Sequence, residues 1–307
     1  MRSHIPLLPH LLCCAALAFT ATGLSAQAPA PAAPANYTTK SGIPYTQGAT
    51  GPLRADAYIP NGAGPFPAIL YIHGGGWING DRYQMIKLIK DLANQGYLAF
   101  SIDYDVDPVH YPASFNESLA ALRYMRDHAA DLNIDPARIA VAGSSAGGEL
   151  AALVALNPEG LTVPASPAVA STTGTRVRAA IILNGVLDLI ALGDKSHMVT
   201  EYLGGSCTSL PDVCKDASPL SHVHPGAPPF FVGHGTADAT VPFTQAQAFV
   251  DALRAGKVQV RFFTAQGGPH TYWQKQQFYS QNLQDLEAFL ALALRPVHAA
   301  TPTVAAP

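Results

Sequence analysis

Short apolar runs alternate with amphipathic segments through most of the chain. An apolar run that stops at glycine or a polar residue predicts a buried strand, and apolar residues every three or four positions predict a helix. The predicted strands are 66–77 (where the strand runs into a glycine loop), 97–104, 138–143, 179–185, 229–235 and 258–263. The predicted helices are 82–96, 114–129, 148–156, 244–256 and about 274–294.

This alternation predicts an α/β fold: a mostly parallel, doubly wound sheet with helices on both faces. Ahead of it, residues 52–60 alternate between apolar and polar side chains, which predicts an antiparallel edge strand. In open sheets of this type, ligands bind beyond the carboxyl ends of the strands. The residues that directly follow the predicted strands are therefore the candidates for chemistry.

Four such segments carry reactive or glycine-rich sequence. HGGGW begins at His73, GSSAG spans residues 143–147, Asp238 follows the strand 229–235, and His270 follows the strand 258–263. A glycine loop, a serine, an acid and a histidine thus fall on one edge of the predicted sheet. Their convergence carries more weight than any of the motifs does alone.

The serine pair fits Gly-x-Ser-x-Gly with Ser145 at the centre and Ser144 as x. Small neighbours permit a sharp strand-to-helix turn, which lifts the Ser145 hydroxyl into the cleft and aims the Ala146 N–H at the same point. Alone, the pattern is equally typical of a structural turn. Its position between a predicted strand and a predicted helix favours a nucleophilic serine.

HGGGW follows an apolar strand directly, and glycines allow the main chain to approach a substrate closely. Fixed backbone N–H donors stabilise the oxyanion of acyl transfer by about 3–4 kcal/mol each. A glycine turn without a catalytic role is the alternative. The position of the motif ahead of the serine favours an oxyanion loop.

Composition and charge limit the number of domains and the kinds of binding partner that the chain can have. The chain has 307 residues, 48% of them hydrophobic, and a net charge of −3 without a basic run. That length supports one large domain or at most two small ones. The charge argues against nucleic acid and anionic membranes as partners.

The N-terminus is typical of an export signal. Arg2 precedes the apolar run LLCCAALAF, which is too short to span a membrane, and cleavage is expected after Ala26. A buried N-terminal helix is the alternative. We predict a signal peptide at 1–26, a Pro/Ala linker at 27–36, one domain at 37–295 and an extended tail at 296–307, with the protein secreted or periplasmic.

Cysteine usage agrees with export. Cys13 and Cys14 leave with the predicted signal, and Cys207 and Cys214 remain in GGSCTSLPDVC. In an oxidising compartment this pair predicts a disulfide, with two free thiols as the alternative. The spacing does not suit zinc.

Taken together, HGGGW, GSSAGG, HGTADATVP and GGPH resemble, in that order, the motifs of α/β-hydrolase serine esterases with an HGGGW oxyanion loop. Hormone-sensitive-lipase-like enzymes and the feruloyl- and acetylxylan-esterase-like carboxylesterases are of this type. The resemblance covers about residues 50–290. It implies that Ser145 is the nucleophile, Asp238 the acid and His270 the base. It also implies that the oxyanion N–H donors are Gly75, Gly76 and Ala146. His73 and Gly74 would support the oxyanion loop.

These residues have clear physical roles. His270 takes the proton of Ser145 and later gives one to the leaving alkoxide, and Asp238 fixes the imidazole tautomer and stabilises its charged form. No cofactor and no metal are expected. Asp188 also follows a strand and is the rival acid. His234 suits a structural turn, and His222 with His224 lacks a third metal ligand nearby.

The segment 186–228 must supply the access surface, because too few residues precede His73 to form a helical cap. We predict a loop-rich, polar lid, which suits an open cleft over a short acyl or aryl group. The expected substrate is a small-molecule or polysaccharide-linked ester. Aromatic side chains are more often core than ligand contacts, so the following residues are candidates only: Trp77, Tyr104, Tyr111, Tyr272 and Trp273.

Three functions remain at this point. The first is a secreted carboxylic-ester hydrolase that uses Ser145, Asp238 and His270. The second is an amidase, arylformamidase or peptidase-like acyl hydrolase on the same site. The third is a non-catalytic binding protein, which the retention of both the serine and the histidine disfavours. The oligomeric state is open.

Overall fold

The computed structural model describes residues 36–156 and 174–296. The predicted signal at 1–26, nearly all of the linker at 27–36 and nearly all of the tail at 296–307 lie outside the described residues. These segments and the ends of the domain therefore stay predictions.

The described residues form an eight-stranded sheet in the order β1-β2-β4-β3-β5-β6-β7-β8. The pairs β1–β2 and β2–β4 are antiparallel, and every later pair is parallel. The bounds of the strands are Tyr37–Gln47, Pro52–Pro60, Phe66–Ile72, Leu98–Ile102, Ile134–Ser144, Ala179–Leu183, Phe230–Gly235 and Val260–Ala265.

Helices cover both faces of the sheet. Within the described residues they are α1 to α9, in chain order Ile86–Asn94, Ala113–Asp127, Ala129–Leu132, Ala146–Leu156, Leu189–Leu192, His197–Leu203, Pro211–Asp216, Phe243–Ala255 and Gln276–Ala293. Because strand side chains alternate between faces, Ile69 and Tyr71 of β3 join one apolar cluster while Leu70 and Ile72 join the other. The first cluster includes residues of α1 and α9, and the second includes residues of α2, α4 and α8.

Helix α4 occupies the centre of its face, and all of its residues are buried. Its sequence, AGGELAALVAL, is small and apolar on nearly every side, which suits a helix without a solvent face. The predicted α/β fold with a doubly wound sheet is therefore confirmed.

The prediction that residues 52–60 form the edge of the sheet was wrong. They form β2, and β1 covers their outer side as the true edge strand. Strand β1, YTTKSGIPYTQ, is mostly exposed, so it shows little of the apolar alternation on which the prediction relied. Its Thr and Tyr content was the remaining strand signal.

The insertion at 186–228 is also more ordered in backbone than the predicted loop-rich lid. It contains α5, α6 and α7, together with short 3₁₀ turns. Helices of four to seven residues are too short to show a clear apolar period. A disulfide joins Cys207 to Cys214, with their Cα atoms 5.2 Å apart.

Candidate active site

The turn between β5 and α4 places Ser145 at the carboxyl edge of the sheet. Ser145 has a φ of 54°, a left-handed conformation that costs a serine about 1–3 kcal/mol unless the surroundings enforce it. The packing around the turn enforces this conformation, because the chain on both sides of Ser145 is in close backbone contact. A Cβ at Gly143 would collide with the backbone of Gly147. A Cβ at Gly147 would in turn collide with the carbonyl oxygens of Ile72 and His73.

His270 lies in the loop after β8 and reaches the serine. Its Nε2 lies 2.9 Å from Ser145 Oγ, and its Nδ1 lies 2.7 Å from Asp238 Oδ2. The loops that carry the acid and the histidine touch, since Ala237 N donates to the Gly268 carbonyl at 3.0 Å and Gly235 has no room for a Cβ beside Gly268. The structure thus brings together the three residues that the resemblance singled out.

The side chain of Asp238 is fully buried, and its carboxylate contacts four N–H groups. Oδ1 accepts from the backbone N–H groups of Thr240 and Val241, each at 2.9 Å. Oδ2 contacts His270 Nδ1 and, at 3.1 Å, His234 Nε2. Burial alone raises the pKa of Asp238, but the hydrogen bonds from His234, His270 and Val241 together bring that pKa well below its usual value.

The ionised Asp238 sets the imidazole tautomer. A carboxylate only accepts hydrogen bonds, so His270 Nδ1 carries the proton and Nε2 is free to accept from the Ser145 hydroxyl. His234 was expected to be a structural turn residue. It is completely buried, and its Nε2–H donates to the Val241 carbonyl at 2.9 Å while lying 3.1 Å from Asp238 Oδ2, so it also supports the acid.

The HGGGW loop follows β3 and faces Ser145. Gly75, Gly76 and Trp77 have φ values of 121°, 63° and 60°. A Cβ would collide with the Asn79 carbonyl at Gly75 and with the Met198 sulfur at Gly76. Within residues 36–156 and 174–296, the N–H groups of Gly75, Gly76 and Ala146 have no acceptor, so they are available to a ligand.

His73 and Gly74 hold this loop in place. His73 is buried, stacks on Tyr104 at 4.2 Å and donates from Nδ1 to the Gly74 carbonyl at 2.7 Å. Burial lowers the pKa of His73, which keeps the ring neutral. Gly74 N donates to Gln84 Oε1 at 2.6 Å, and the same oxygen accepts from Ser144 Oγ at 3.1 Å. Ser144 is therefore engaged in supporting the loop.

Two cavities meet at Ser145. The larger, about 310 Å³, is an open cleft, and the smaller has room for about 20 Å³ beneath the insertion. Both are lined by Gly76, Ser145, Met198 and Thr240. The cleft is also lined by Asn184, His270 and Trp273, and the small cavity is closed by apolar side chains, namely Trp77, Val186, Leu192, Val199 and Val241.

Only two of the five aromatic candidates line these cavities. Trp273 borders the cleft and Trp77 borders the small cavity. The proposal of Tyr104, Tyr111 and Tyr272 as substrate contacts was wrong, because their rings pack in the core. Tyr104 lies against His73, Tyr111 donates to Asp216 at 3.1 Å, and Tyr272 donates to Asn282 at 3.0 Å.

Asn184 and Met198 were missed from the sequence. Asn184 directly follows β6, has a φ of 45°, and its side-chain nitrogen lies 3.3 Å from His270 Nε2. The rule that ligand contacts follow the strands would have found it. Met198 comes from α6 and carries no comparable signal.

The rival residues have other partners. Asp188 caps α5 by accepting from Ala191 N at 3.0 Å. His222 contacts the Asp216 carbonyl, whereas His224 contacts that of Leu156, so the two do not converge. No group of three or more His, Cys, Asp or Glu side chains in the described part of the chain could hold a metal ion. Among those same residues, every helix is too short or too polar to cross a bilayer.

The fold and this edge of the sheet define an α/β-hydrolase. A family model described as BD-FAE matches residues 55–253, and the chain belongs to that family. The resemblance to α/β-hydrolase serine esterases inferred from the motifs is thereby confirmed.

Individual relatives agree with this assignment. Esterase LipQ of Mycobacterium tuberculosis is 35% identical over 214 residues, which are 67% of this chain and 50% of that protein. The chain spans about half the length of the curated relatives it matches.

Solved structures match over more of their length. A butyrate-bound esterase, Est2 of Thermogutta terrifontis, superposes with a TM-score of 0.72 at 29% identity, covering 85% of this chain and 96% of that one. A truncated carbohydrate esterase from gut microbiota superposes with a TM-score of 0.76 at 24% identity, covering 86% and 99%. The second match bears on the fold alone.

The lowered pKa of Asp238 predicts a pH-dependent contribution to stability. A carboxylate with a depressed folded-state pKa stabilises the fold above its unfolded pKa, about 3.9, and this contribution is lost as the pH falls below that value. The unfolding free energy of the native chain should therefore exceed that of Asp238→Asn most above about pH 5, and the gap should shrink toward about pH 2.

Urea unfolding between these pH values measures the gap. Asp131→Asn serves as the control, because Asp131 is an exposed carboxylate (80% exposed side chain) and its removal should leave the curve close to that of the native chain. A difference in unfolding free energy between the native chain and Asp238→Asn that stays constant across this pH range would contradict the lowered pKa of Asp238.

Proposed function

We propose that the chain is a serine carboxylic-ester hydrolase that acts through Ser145, His270 and Asp238 and a covalent acyl-enzyme. The main observation in support of this proposal is the unbroken chain of hydrogen bonds from Ser145 Oγ through His270 to a buried, ionised Asp238. The names of the relatives, all esterases or ester hydrolases in the matches reported above, support an ester as the substrate.

In the first half-reaction, Ser145 Oγ attacks the ester carbonyl carbon while its proton passes to His270 Nε2. The carbonyl oxygen becomes an oxyanion, which accepts hydrogen bonds from the N–H groups of Gly75, Gly76 and Ala146; the absence of acceptors for these groups among the described residues supports this role. When the tetrahedral intermediate collapses, the C–O bond to the leaving alkoxide breaks and the proton on His270 goes to that alkoxide. Asp238 stabilises the imidazolium throughout.

Water completes the cycle. It attacks the acyl-enzyme carbonyl as His270 takes its proton, and the second collapse releases the carboxylic acid and returns the proton to Ser145. His270 can serve both halves because its side chain is 19% exposed at the cleft, whereas Asp238 is shielded from solvent.

The two cavities support a short acyl group. The cavity of about 20 Å³ has room for roughly one water-sized group, so it suits an acetyl methyl better than a longer chain. The open cleft can then hold the larger alcohol or aryl portion, including one linked to a polysaccharide. The butyrate held by Est2 of Thermogutta terrifontis is likewise a short acyl acid.

Replacing the nucleophile tests the mechanism. With p-nitrophenyl acetate, Ser145→Ala should lower kcat by at least about 10³-fold, because the acyl-enzyme cannot form. Ser144→Ala should retain activity within about tenfold, since Ser144 supports the loop through Gln84. Full activity in Ser145→Ala would overturn the proposal. Faster turnover of a matched anilide or formanilide than of esters would instead make the chain an amidase or formamidase.

Enlarging the small cavity should change the acyl preference. Met198→Ala removes a side chain that lines both cavities, so the ratio of kcat/KM for butyrate over acetate esters should rise by about tenfold or more. Leu292→Ala is a control because Leu292 is 71% exposed and lines neither cavity. An unchanged ratio in Met198→Ala would show that the acyl group binds elsewhere.

We also propose that the protein is exported and loses residues 1–26. The apolar N-terminal run and the Cys207–Cys214 disulfide, which needs an oxidising compartment, support this proposal. Expression of the full chain with its leader should give a mature protein that begins near Gln27 and has no titratable thiol in denaturant. An intact mass that includes Met1, together with free Cys13 and Cys14, would be the contrary result.

A further inference from the structure

Glu149 is a buried carboxyl group that the mechanism above does not use. It lies in the first turn of α4, and its relative exposure is 0%. Among the described residues it has no cationic partner, although an unpaired buried carboxylate is costly. Its hydrogen-bond partners are Trp77 Nε1 at 3.2 Å and Tyr202 Oη at 3.3 Å.

These two partners come from different parts of the fold. Trp77 is the last residue of the HGGGW loop, and Tyr202 belongs to α6 of the insertion. Their rings stack with centroids 4.3 Å apart and planes 5° apart, and both are 3% exposed. We call Trp77, Glu149 and Tyr202 the carboxyl clamp. It joins the oxyanion loop, the nucleophile helix and the insertion.

The clamp acts next to the reacting atoms. Glu149 N donates to the Ser145 carbonyl at 3.1 Å, so Glu149 is fixed relative to the nucleophile. Trp77 directly follows Gly76 and has a φ of 60°, a conformation that a tryptophan keeps only when its surroundings enforce it. Met198, one turn before Tyr202 on α6, packs against Gly76.

We infer that Glu149 is a positioning residue that holds the Gly76 N–H toward the oxyanion by clamping Trp77 and Tyr202. This inference rests on the proposed acyl-transfer function. Without the clamp, Trp77 can leave its left-handed conformation and Gly76 turns with it, while the triad of Ser145, His270 and Asp238 stays intact. The loss then falls on transition-state stabilisation and leaves substrate binding nearly unchanged.

A neutral carboxyl suits this role. Burial raises the pKa of Glu149 well above its usual value, against the opposing hydrogen bonds from Trp77 and Tyr202. Oε2 lies 3.2 Å from Trp77 Nε1 and 3.4 Å from Tyr202 Oη, so a carboxyl that is protonated on Oε1 keeps an acceptor oxygen for both donors. Glutamine has the same shape and the same mix of donor and acceptor, so it should replace Glu149, whereas leucine cannot.

The test compares Glu149→Gln, Glu149→Leu and Tyr202→Phe in the full mature chain. With p-nitrophenyl acetate, Glu149→Gln should keep kcat within about threefold, and Glu149→Leu should lose about 10–100-fold in kcat with KM changed less than about threefold. Tyr202→Phe removes one hydroxyl and should lose about 3–10-fold. If Glu149→Leu does not fold, the loss of kcat in Tyr202→Phe still tests the role of the carboxyl clamp.

A transition-state mimic separates positioning from general damage. The Kd of an alkyl trifluoromethyl ketone, which forms an oxyanion on Ser145, should rise in Glu149→Leu by the same factor as kcat falls. Glu117→Leu is the matched control, because Glu117 is another buried carboxyl (8% exposed), on α2, and it bonds the Asp105 N–H at 2.8 Å away from the cleft. It should lower Tm but leave kcat and the ketone Kd within about twofold.

Tryptophan emission gives a reading that does not need catalysis. The chain has two tryptophans, so a Trp273→Phe background leaves Trp77 as the sole reporter. Emission should shift to the red in Glu149→Leu and stay unchanged in Glu149→Gln. The inference would be overturned if Glu149→Leu kept the kcat and the ketone Kd of the native chain. It would also be overturned if Glu149→Gln lost as much kcat as Glu149→Leu. If the native chain hydrolyses no ester, the proposed function fails. An unshifted emission in Glu149→Leu would then contradict the carboxyl clamp as well.

Discussion

The close backbone contact between α4 and β3 is the constraint on which the site depends. Gly147 lies so near the carbonyl oxygens of Ile72 and His73 that no side chain fits between them. This contact forces the chain to turn sharply at Ser145, and it also sets the distance between the serine and the HGGGW loop, because that loop begins at His73. One steric requirement therefore positions both the proposed nucleophile and its proposed oxyanion donors.

Around this contact, polar groups are satisfied by fixed partners instead of by solvent. Asp238 is ionised although buried, because two histidines and two backbone N–H groups surround it. His73 is neutral because it is buried with only a carbonyl for a partner. The site thus keeps its charge at Asp238, while His270, the proposed general base, lies at the surface of the cleft.

The sequence predicted the parts of the site that follow strands, and it failed where tertiary packing decides. Ser145, Asp238 and His270 were found because each lies at the end of an apolar run, and Asn184 was within reach of the same rule. Met198 and Tyr202 were not, because a helix of seven residues gives no period from which its inner face can be inferred. Tyr104 and Tyr111 were named as candidate cleft residues because nothing in a sequence distinguishes an aromatic ring that packs in the core from one that meets a ligand. Strand β1 was missed because an exposed edge strand needs no apolar face.

Helix α6 has a consequence for how this protein can change over generations. Met198 and Tyr202 lie one turn apart on the same side of a short helix, one lining the proposed acyl cavity and the other belonging to the carboxyl clamp. A substitution or a length change that shifts α6 alters both at once. Under the proposed function, acyl selectivity and turnover are then inherited as linked traits. A lineage that adapts to a bulkier ester through this helix has to restore the oxyanion geometry by a second, compensating change.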